Sequence, residues 1–298
     1  MRDVAITVAQ LTLGAALRQA TAQLRRARIE GAGDDARRLL CAVLRLSAAR
    51  ILSQPERPLS AEEAESFGRC IARRAAREPV SRILGEREFF GRSFAISPAT
   101  LDPRPDSETL IGAALELVAL EGWLARPQRI LDVGTGSGCL LLTLLAELPC
   151  ALGIGTDTSA AALDVARTNA QRLGIGDRAQ WLCADALESI RGPFDILVSN
   201  PPYIPTAEIA GLDPDVRCFD PPSALDGGDD GLGFFHRLVA SMAHVVADGW
   251  IVLEVGHDQA DAVAALLVSR GPAASAADIR FYRDVAGKRR CVAARSRK

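Results

Sequence analysis

Asn200-Pro201-Pro202-Tyr203 follows a strand-like run from Phe194 to Ser199, and its residue types suit holding a planar, weakly nucleophilic NH2 group still. Each proline lacks an N–H and has a fixed φ, so the loop is stiff. The side-chain oxygen of Asn200 and the carbonyl of Pro201 are both acceptors, and together they can receive both protons of one NH2 group. Tyr203 adds a flat face for a planar substrate. An amide nitrogen is a poor nucleophile, because its lone pair is delocalised into the carbonyl. Acceptors on both N–H bonds push density back onto nitrogen and stabilise the positive charge that develops there. Asn-Pro alone is a common start to a turn. What raises it here is its place at a strand end, where open α/β sheets bind ligands.

A second motif lies upstream, Asp132-Val-Gly-Thr-Gly-Ser-Gly138, between a strand and the helical run Cys139–Leu145. Glycines there let backbone approach a ligand closely at a helix N-terminus. A dinucleotide fingerprint needs glycine at position 139, which is Cys139. The spacing G-x-G-x-G favours S-adenosylmethionine, which has no pyrophosphate to cradle, over a nicotinamide cofactor. Asp157 ends the next strand, 25 residues beyond Asp132, where a carboxylate can accept from both ribose hydroxyls. Asp185 follows the third strand and could accept from an adenine amino group, and Ala186 beside it leaves room for the ring. Singly, these acids read as a strand-end cap, a helix N-cap before Ser159 and a turn residue. Together, beside a glycine loop, they imply a nucleoside site. The two motifs imply methyl transfer from S-adenosylmethionine to an amide or amino nitrogen.

The elements that must position these residues alternate from residue 106 onward. Strand candidates are Arg129–Val133, Ala151–Thr156, Ala179–Cys183, Phe194–Ser199, Trp250–Val255, Ile279–Tyr282 and Arg290–Ala294. Helix candidates lie between most of them, which argues for a doubly wound α/β sheet over 106–298. The last two strands have no helix between them and should form an antiparallel pair at one edge. Residues 81–105 place Phe89, Phe90, Phe94 and Ile96 among glycines and prolines, and read as a hairpin or linker. Residues 1–80 read as helices. Leu13, Leu17, Leu24 and Ile29 form one apolar face. Asp34 and Asp35 start a second helix, and Ser60 with Glu63 fits a capping box for a third, which Pro79 ends.

The chain has 298 residues and is 48% hydrophobic, enough to build a real core. No apolar run reaches the length of a membrane span and no signal pattern opens the chain, so a cytoplasmic protein is expected. Seven scattered cysteines, never spaced as a zinc pair, read as reduced residues, and no metal is expected. Residues 1–100 hold 17 arginines and 11 acids, a net +6, which leaves −8 for the rest of a chain whose total is −2. An acidic second part disfavours a nucleic-acid footprint there. The basic first third could meet an acidic partner or RNA, but a solvated arginine-rich helical surface is the commoner case.

The segment Glu78-Pro-Val-Ser-Arg-Ile-Leu-Gly-Glu-Arg-Glu-Phe-Phe90 continues through Ser97-Pro-Ala-Thr-Leu-Asp-Pro-Arg-Pro-Asp-Ser-Glu108. With Gly134–Gly138, Asn200–Tyr203, Asp226-Gly-Gly-Asp-Asp-Gly-Leu232 and Arg283-Asp-Val-Ala-Gly287, it resembles the HemK/PrmC family of protein-(glutamine-N5) methyltransferases, which modify peptide chain release factors. The resemblance covers nearly the whole chain, the first 75 residues matching only in helical character. It implies a Rossmann-like class I S-adenosylmethionine-dependent methyltransferase: a seven-stranded, mostly parallel sheet with an antiparallel edge strand, plus a small N-terminal helical bundle, whose +6 charge and lack of catalytic motifs suit substrate docking. The substrate would be a glutamine in a Gly-Gly-Gln motif of class 1 release factors, with no direct nucleic-acid binding. Asn200 and Pro201 would bind its amide, with Pro202 and Tyr203 beside it and Phe89 and Phe90 walling the pocket. Gly134, Thr135, Gly136, Ser137, Gly138, Asp157, Asp185, Ala186 and Asn200 would meet the cofactor. Arg104–Glu108 would cover its methionine end. One departure is Asp220, where the family commonly has Glu before proline. The rival readings are a DNA adenine N6-methyltransferase, which shares Asn-Pro-Pro-Tyr, and a non-catalytic S-adenosylmethionine-binding module.

Overall fold

The computed structural model describes residues 11–188 and 190–296, and the chain divides into two compact units between Gly85 and Glu86. The first unit is helical: α1 (Leu13–Arg26), α2 (Ala32–Leu44), α3 (Ala48–Ser53), α4 (Ala61–Ala75) and α5 (Val80–Leu84). Leu13, Leu24, Leu39 and Leu40 are fully buried in its core. Burial of each such side chain contributes about 1.5–3 kcal/mol. Ser60 and Glu63 form the capping box in both directions, at 3.1 and 2.9 Å. Asp34 and Asp35 lie in the first turn of α2, favourable to its dipole. Asp35 also accepts from Arg74 at 2.7 Å, a well-buried pair that ties α4 to α2. Pro79 does not end α4, which stops at Ala75; it is the residue before α5, where its fixed φ suits a helix start.

The second unit opens with a hairpin, β1 (Glu86–Phe89) and β2 (Arg92–Ala95), turned at Phe90 and Gly91 with φ of 49° and 70°. Positive φ at both turn positions matches the right-handed twist of the two strands. Residues 81–105 are therefore split: α5 belongs to the first unit and the hairpin to the second. The hairpin is built into the second core. Phe89 and Phe94 are buried and meet edge to face, with centroids 6.3 Å apart. Asn169 accepts from the Ala95 N–H at 2.7 Å and donates to its carbonyl at 3.0 Å.

After α6 (Glu108–Leu120) come β3 (Arg129–Val133), α7 (Cys139–Glu147), β4 (Leu152–Asp157), α8 (Ala160–Arg172), β5 (Ala179–Cys183), β6 (Ile196–Ser199), the short α9 (Pro214–Arg217), α10 (Gly233–Val245), β7 (Gly249–Glu254), α11 (Ala260–Ser269), β8 (Ile279–Arg283) and β9 (Arg289–Ser296). Seven strands form one sheet in the order β5-β4-β3-β6-β7-β9-β8. The first five run parallel; β9 is antiparallel to both neighbours and lies one strand in from the edge, which is β8. β6 and β7 are buried along their whole length, as parallel strands covered on both faces must be. Residues of α6, α7 and α8 pack one face, with the hairpin; α10 and α11 pack the other. The chain runs outward from β3 through β4 to β5 and then returns to place β6 on the other side of β3, with Ile130 opposite Ile196. That reversal opens a crevice at the C-terminal ends of β3 and β6.

Candidate active site

The glycine loop leaves β3 at Gly134 and folds back over β4. The N–H groups of Gly134 and Thr135 both donate to the Thr156 carbonyl, at 2.9 and 2.8 Å. Gly134 and Gly136 have φ of 74° and 55°, and a Cβ on either would meet open space, so the loop shows bare backbone to the crevice. Gly138 starts α7 with φ 79°, and there a Cβ would crowd Trp181 at 3.0 Å. Asp132 stands beneath the loop, fully buried. It accepts from Thr135 Oγ1 at 2.6 Å and from the Leu141 N–H at 3.3 Å. Burial pushes its carboxyl up to about 7, against the pull of the Thr135 and Leu141 hydrogen bonds.

Asp157 closes β4 and ties the loop down. One oxygen accepts the Gly136 N–H and the other the Ser159 N–H, both at 2.9 Å. Each oxygen keeps a further lone pair for a ligand. Asp185 and Ala186 follow β5, with Ala186 at φ 48°. Asp185 pairs with Arg237 of α10 at 2.8 Å, and Arg237 lies over the Phe234 ring at 5.1 Å. Phe234 and Arg237 carry no motif; their i, i+3 spacing sets them side by side on α10, and docking of that helix brings Arg237 to Asp185.

These parts meet in one cavity of about 290 Å³. Its walls include Gly134, Thr135, Gly136, Ser137, Asp157, Asp185, Ala186, Asn200, Pro201 and Pro202. Further wall comes from Ala99, Leu101, Pro103 and Ser107 on one side, and from Pro221, Phe234 and Arg237 on another. Ser107, inside the stretch Arg104–Glu108, is the residue of that stretch that faces the cavity. Gly138, Tyr203, Phe89 and Phe90 are not among the lining residues. Gly138 is filled over by Trp181 and Leu142. Phe89 is closed inside the core and cannot wall a pocket. Phe90 donates its N–H to Glu108 Oε1 at 3.0 Å, which gives that acid a structural task. Tyr203 turns its ring into the core below and donates its hydroxyl to Glu254 at 3.3 Å, so its flat face is packed by protein. Burial, with the Glu254 charge, pushes the Tyr203 phenol above the ordinary tyrosine range.

Asp220 is buried and accepts from the Asp102 N–H at 3.1 Å and from Arg104 at 2.5 Å. It holds the 102–104 segment against the loop that follows β6. An aspartate reaches both groups, so the shorter acid is accommodated.

Asn200, Pro201 and Pro202 line one part of a cavity whose remainder carries glycine-loop backbone and the carboxylates of Asp157 and Asp185. Comparison with known proteins bears on what such a cavity serves. A model described as the PrmC N-terminal domain matches residues 15–85, and one described as the methyltransferase small domain matches residues 111–210. A release factor glutamine methyltransferase of Bradyrhizobium diazoefficiens is 45% identical over 95% of each chain. One of Rhodospirillum rubrum is 45% identical over 96% of this chain and 86% of its own. Among solved structures, the catalytic domain of hMettl16 in complex with MAT2A 3′UTR hairpin 6 aligns with a TM-score of 0.55 at 18% identity, over 76% of this chain and 81% of that one. At that identity the likeness is one of fold, that of a class I S-adenosylmethionine-dependent methyltransferase. Identity of 45% with the two bacterial enzymes over at least 95% of this chain goes further: this chain is a methyltransferase and belongs to the family of release factor glutamine methyltransferases.

Proposed function

We propose that this protein transfers the methyl group of S-adenosyl-L-methionine to the side-chain amide nitrogen, N5, of the glutamine in the Gly-Gly-Gln motif of class 1 peptide chain release factors, in the cytoplasm. The observation that carries this reading is that Asn200 and Pro201 share one cavity with the glycine loop and Asp157. The residues fit the cofactor. Gly134 and Gly136 leave open space where a Cβ would stand, and Asp157 keeps lone pairs for ribose hydroxyls while both its oxygens are anchored. Asp185 and Ala186 line the same cavity and would meet the adenine.

When bound, S-adenosylmethionine supplies an electrophilic methyl group on a sulfonium. Asn200 Oδ1 and the Pro201 carbonyl accept the two N–H bonds of the glutamine amide and turn its nitrogen toward the methyl. Two fixed prolines keep those acceptors from relaxing away. As nitrogen becomes cationic, the same acceptors stabilise the charge. The N–C bond would form as the methyl–sulfur bond breaks and S-adenosylhomocysteine leaves; the nitrogen is acidic only then and would give one proton to water, so no strong base is needed before attack. Orientation supplies much of the rate.

Residues 101–298 carry −8, which supports a protein substrate over DNA at this cavity. The helical unit, with its arginines, is the surface we assign to docking the release factor. Incubation of a recombinant release factor with the protein and S-adenosylmethionine, followed by peptide mass spectrometry, tests the reading. One added methyl on the Gly-Gly-Gln glutamine is expected. Methyl found on DNA adenine and none on the protein would reject it.

A further inference from the structure

An asparagine amide has two ends of nearly the same shape and opposite hydrogen-bonding sense. Only its oxygen can accept from a substrate N–H. Which end meets the cavity depends on what the other end is held by. In this structure Asn200 Nδ2 donates to Ser107 Oγ at 3.2 Å. Ser107 is buried at the end of a 3-10 turn, Pro105–Ser107, just before α6. A hydroxyl has one proton, so Ser107 can accept from Asn200 while giving that proton elsewhere. The group on its other side is Glu254, the last residue of β7, only 1% exposed. Oε1 of Glu254 accepts from Tyr203 at 3.3 Å. Oε2 is buried and makes no hydrogen bond among the described residues. The neighbouring Ser107 hydroxyl pulls the Glu254 carboxyl down, and a small rotation of that hydroxyl would give this oxygen a donor.

We propose that Ser107 and Glu254 are positioning residues which hold the Asn200 amide with its oxygen toward the cavity. This role rests on the reading of Asn200 as acceptor for the target amide. Asn200 touches substrate; Ser107 and Glu254 act through it.

The string has a direction, and the direction depends on charge. Ionised Glu254 only accepts, so Ser107 must point its proton at Glu254 and offer lone pairs to Nδ2. Protonated Glu254 can donate to Ser107. The Ser107 proton is then released toward Asn200 and attracts its oxygen away from the cavity. Burial raises the Glu254 carboxyl to about 7; Ser107, Arg290 and Tyr203 pull it down and Asp106 pushes it up. The groups facing it are Tyr203 after β6, Ser107 and Asp106 before α6, and Arg290 and Cys291 on β9, with Cys139 of α7 also within its field. Arg290 is shared with Asp106 and Asp284, at 2.9 and 3.1 Å. Both thiols are raised by burial and stay neutral. The favourable orientation therefore holds above the Glu254 pKa and is lost as pH falls through it.

The test is kcat at saturating S-adenosylmethionine, across pH 6 to 8, for the full chain acting on a release factor. Wild type should show kcat falling toward low pH. Ser107→Ala should lower kcat about tenfold, the worth of one net hydrogen bond, and Ser107→Thr should restore it. Glu254→Gln keeps an acceptor that does not titrate, so its kcat should lose the low-pH fall. Thermal unfolding shows whether Glu254→Gln is folded; if it is not, the Ala and Thr variants at position 107 decide. Wild-type kcat in Ser107→Ala, or an unaltered low-pH fall in folded Glu254→Gln, would overturn the role. If the unaltered protein places no methyl on glutamine, the target reading falls and this role falls with it.

Discussion

At the scale of single residues, the proposed function gives Asn200 and Asp157 separable tasks. Asn200 should matter to turnover more than to cofactor binding, because its oxygen answers charge that grows on the target nitrogen. Asn200→Ala is expected to lower kcat roughly 100-fold or more, by analogy with loss of one oxyanion donor. Its dissociation constant for S-adenosylmethionine should change little. Near-normal turnover in single-turnover assays would remove the role. Asp157 should do the opposite. A carboxylate held by two backbone N–H groups and accepting from ribose hydroxyls contributes about 1.5–3 kcal/mol. Asp157→Ala should therefore weaken S-adenosylmethionine by roughly 10- to 100-fold, read by calorimetric titration. The two carboxylates at the glycine loop differ in kind. Asp132 is sealed beneath it and braces Thr135, whereas Asp157 faces the cavity.

Elements decide which aromatic residues are available. The family resemblance implies that Phe89 and Phe90 wall the pocket, whereas their setting among glycines and prolines reads as a hairpin or linker. Once β1 and β2 pair, Phe89 opposes Arg92 and its ring is driven into the core beside Phe94. Phe89→Ala should then cost stability, about 3–5 kcal/mol for a large buried aromatic. Urea unfolding measures this, and kcat below the transition should stay within a few-fold of wild type. Normal stability with kcat abolished would return Phe89 to the active site. Capping motifs behaved differently. Ser60 and Glu63 are three residues apart, and their bonds close within one turn. A signal that completes itself locally is legible in sequence; one completed by a neighbouring element is not.

For the whole molecule, the division between Gly85 and Glu86 separates an arginine-rich helical unit from the one that holds every cavity-lining residue. A chain starting at Glu86 should bind S-adenosylmethionine with unchanged affinity. Its KM for an intact release factor should rise, while methylation of a short Gly-Gly-Gln peptide should change much less. Charged contacts at a rim act largely through association rate, so the full-length protein should lose efficiency as salt rises. Equal loss on protein and peptide would assign the helical unit a structural task and end the docking idea.

Sequence alone was sufficient for the class of chemistry and the class of fold. Glycine spacing, Cys139 in place of a third fingerprint glycine, acids at successive strand ends and Asn-Pro-Pro-Tyr are all short-range patterns. Each follows from φ preferences, donor inventory or strand alternation within a few residues. Tertiary structure was needed to say which of the named residues face the ligand. Tyr203 and Phe89 lie next to functional or candidate residues in sequence, yet pack into protein. Ser107 reaches Asn200 across 93 positions, Tyr203 reaches Glu254 across 51, and Arg237 reaches Asp185 across 52. Such partners meet because β6 returns to lie beside β3 and because α6 and α10 pack on opposite faces of the sheet. Burial and hydrogen-bond partnership depend on the whole packed arrangement, and no local spacing encodes them.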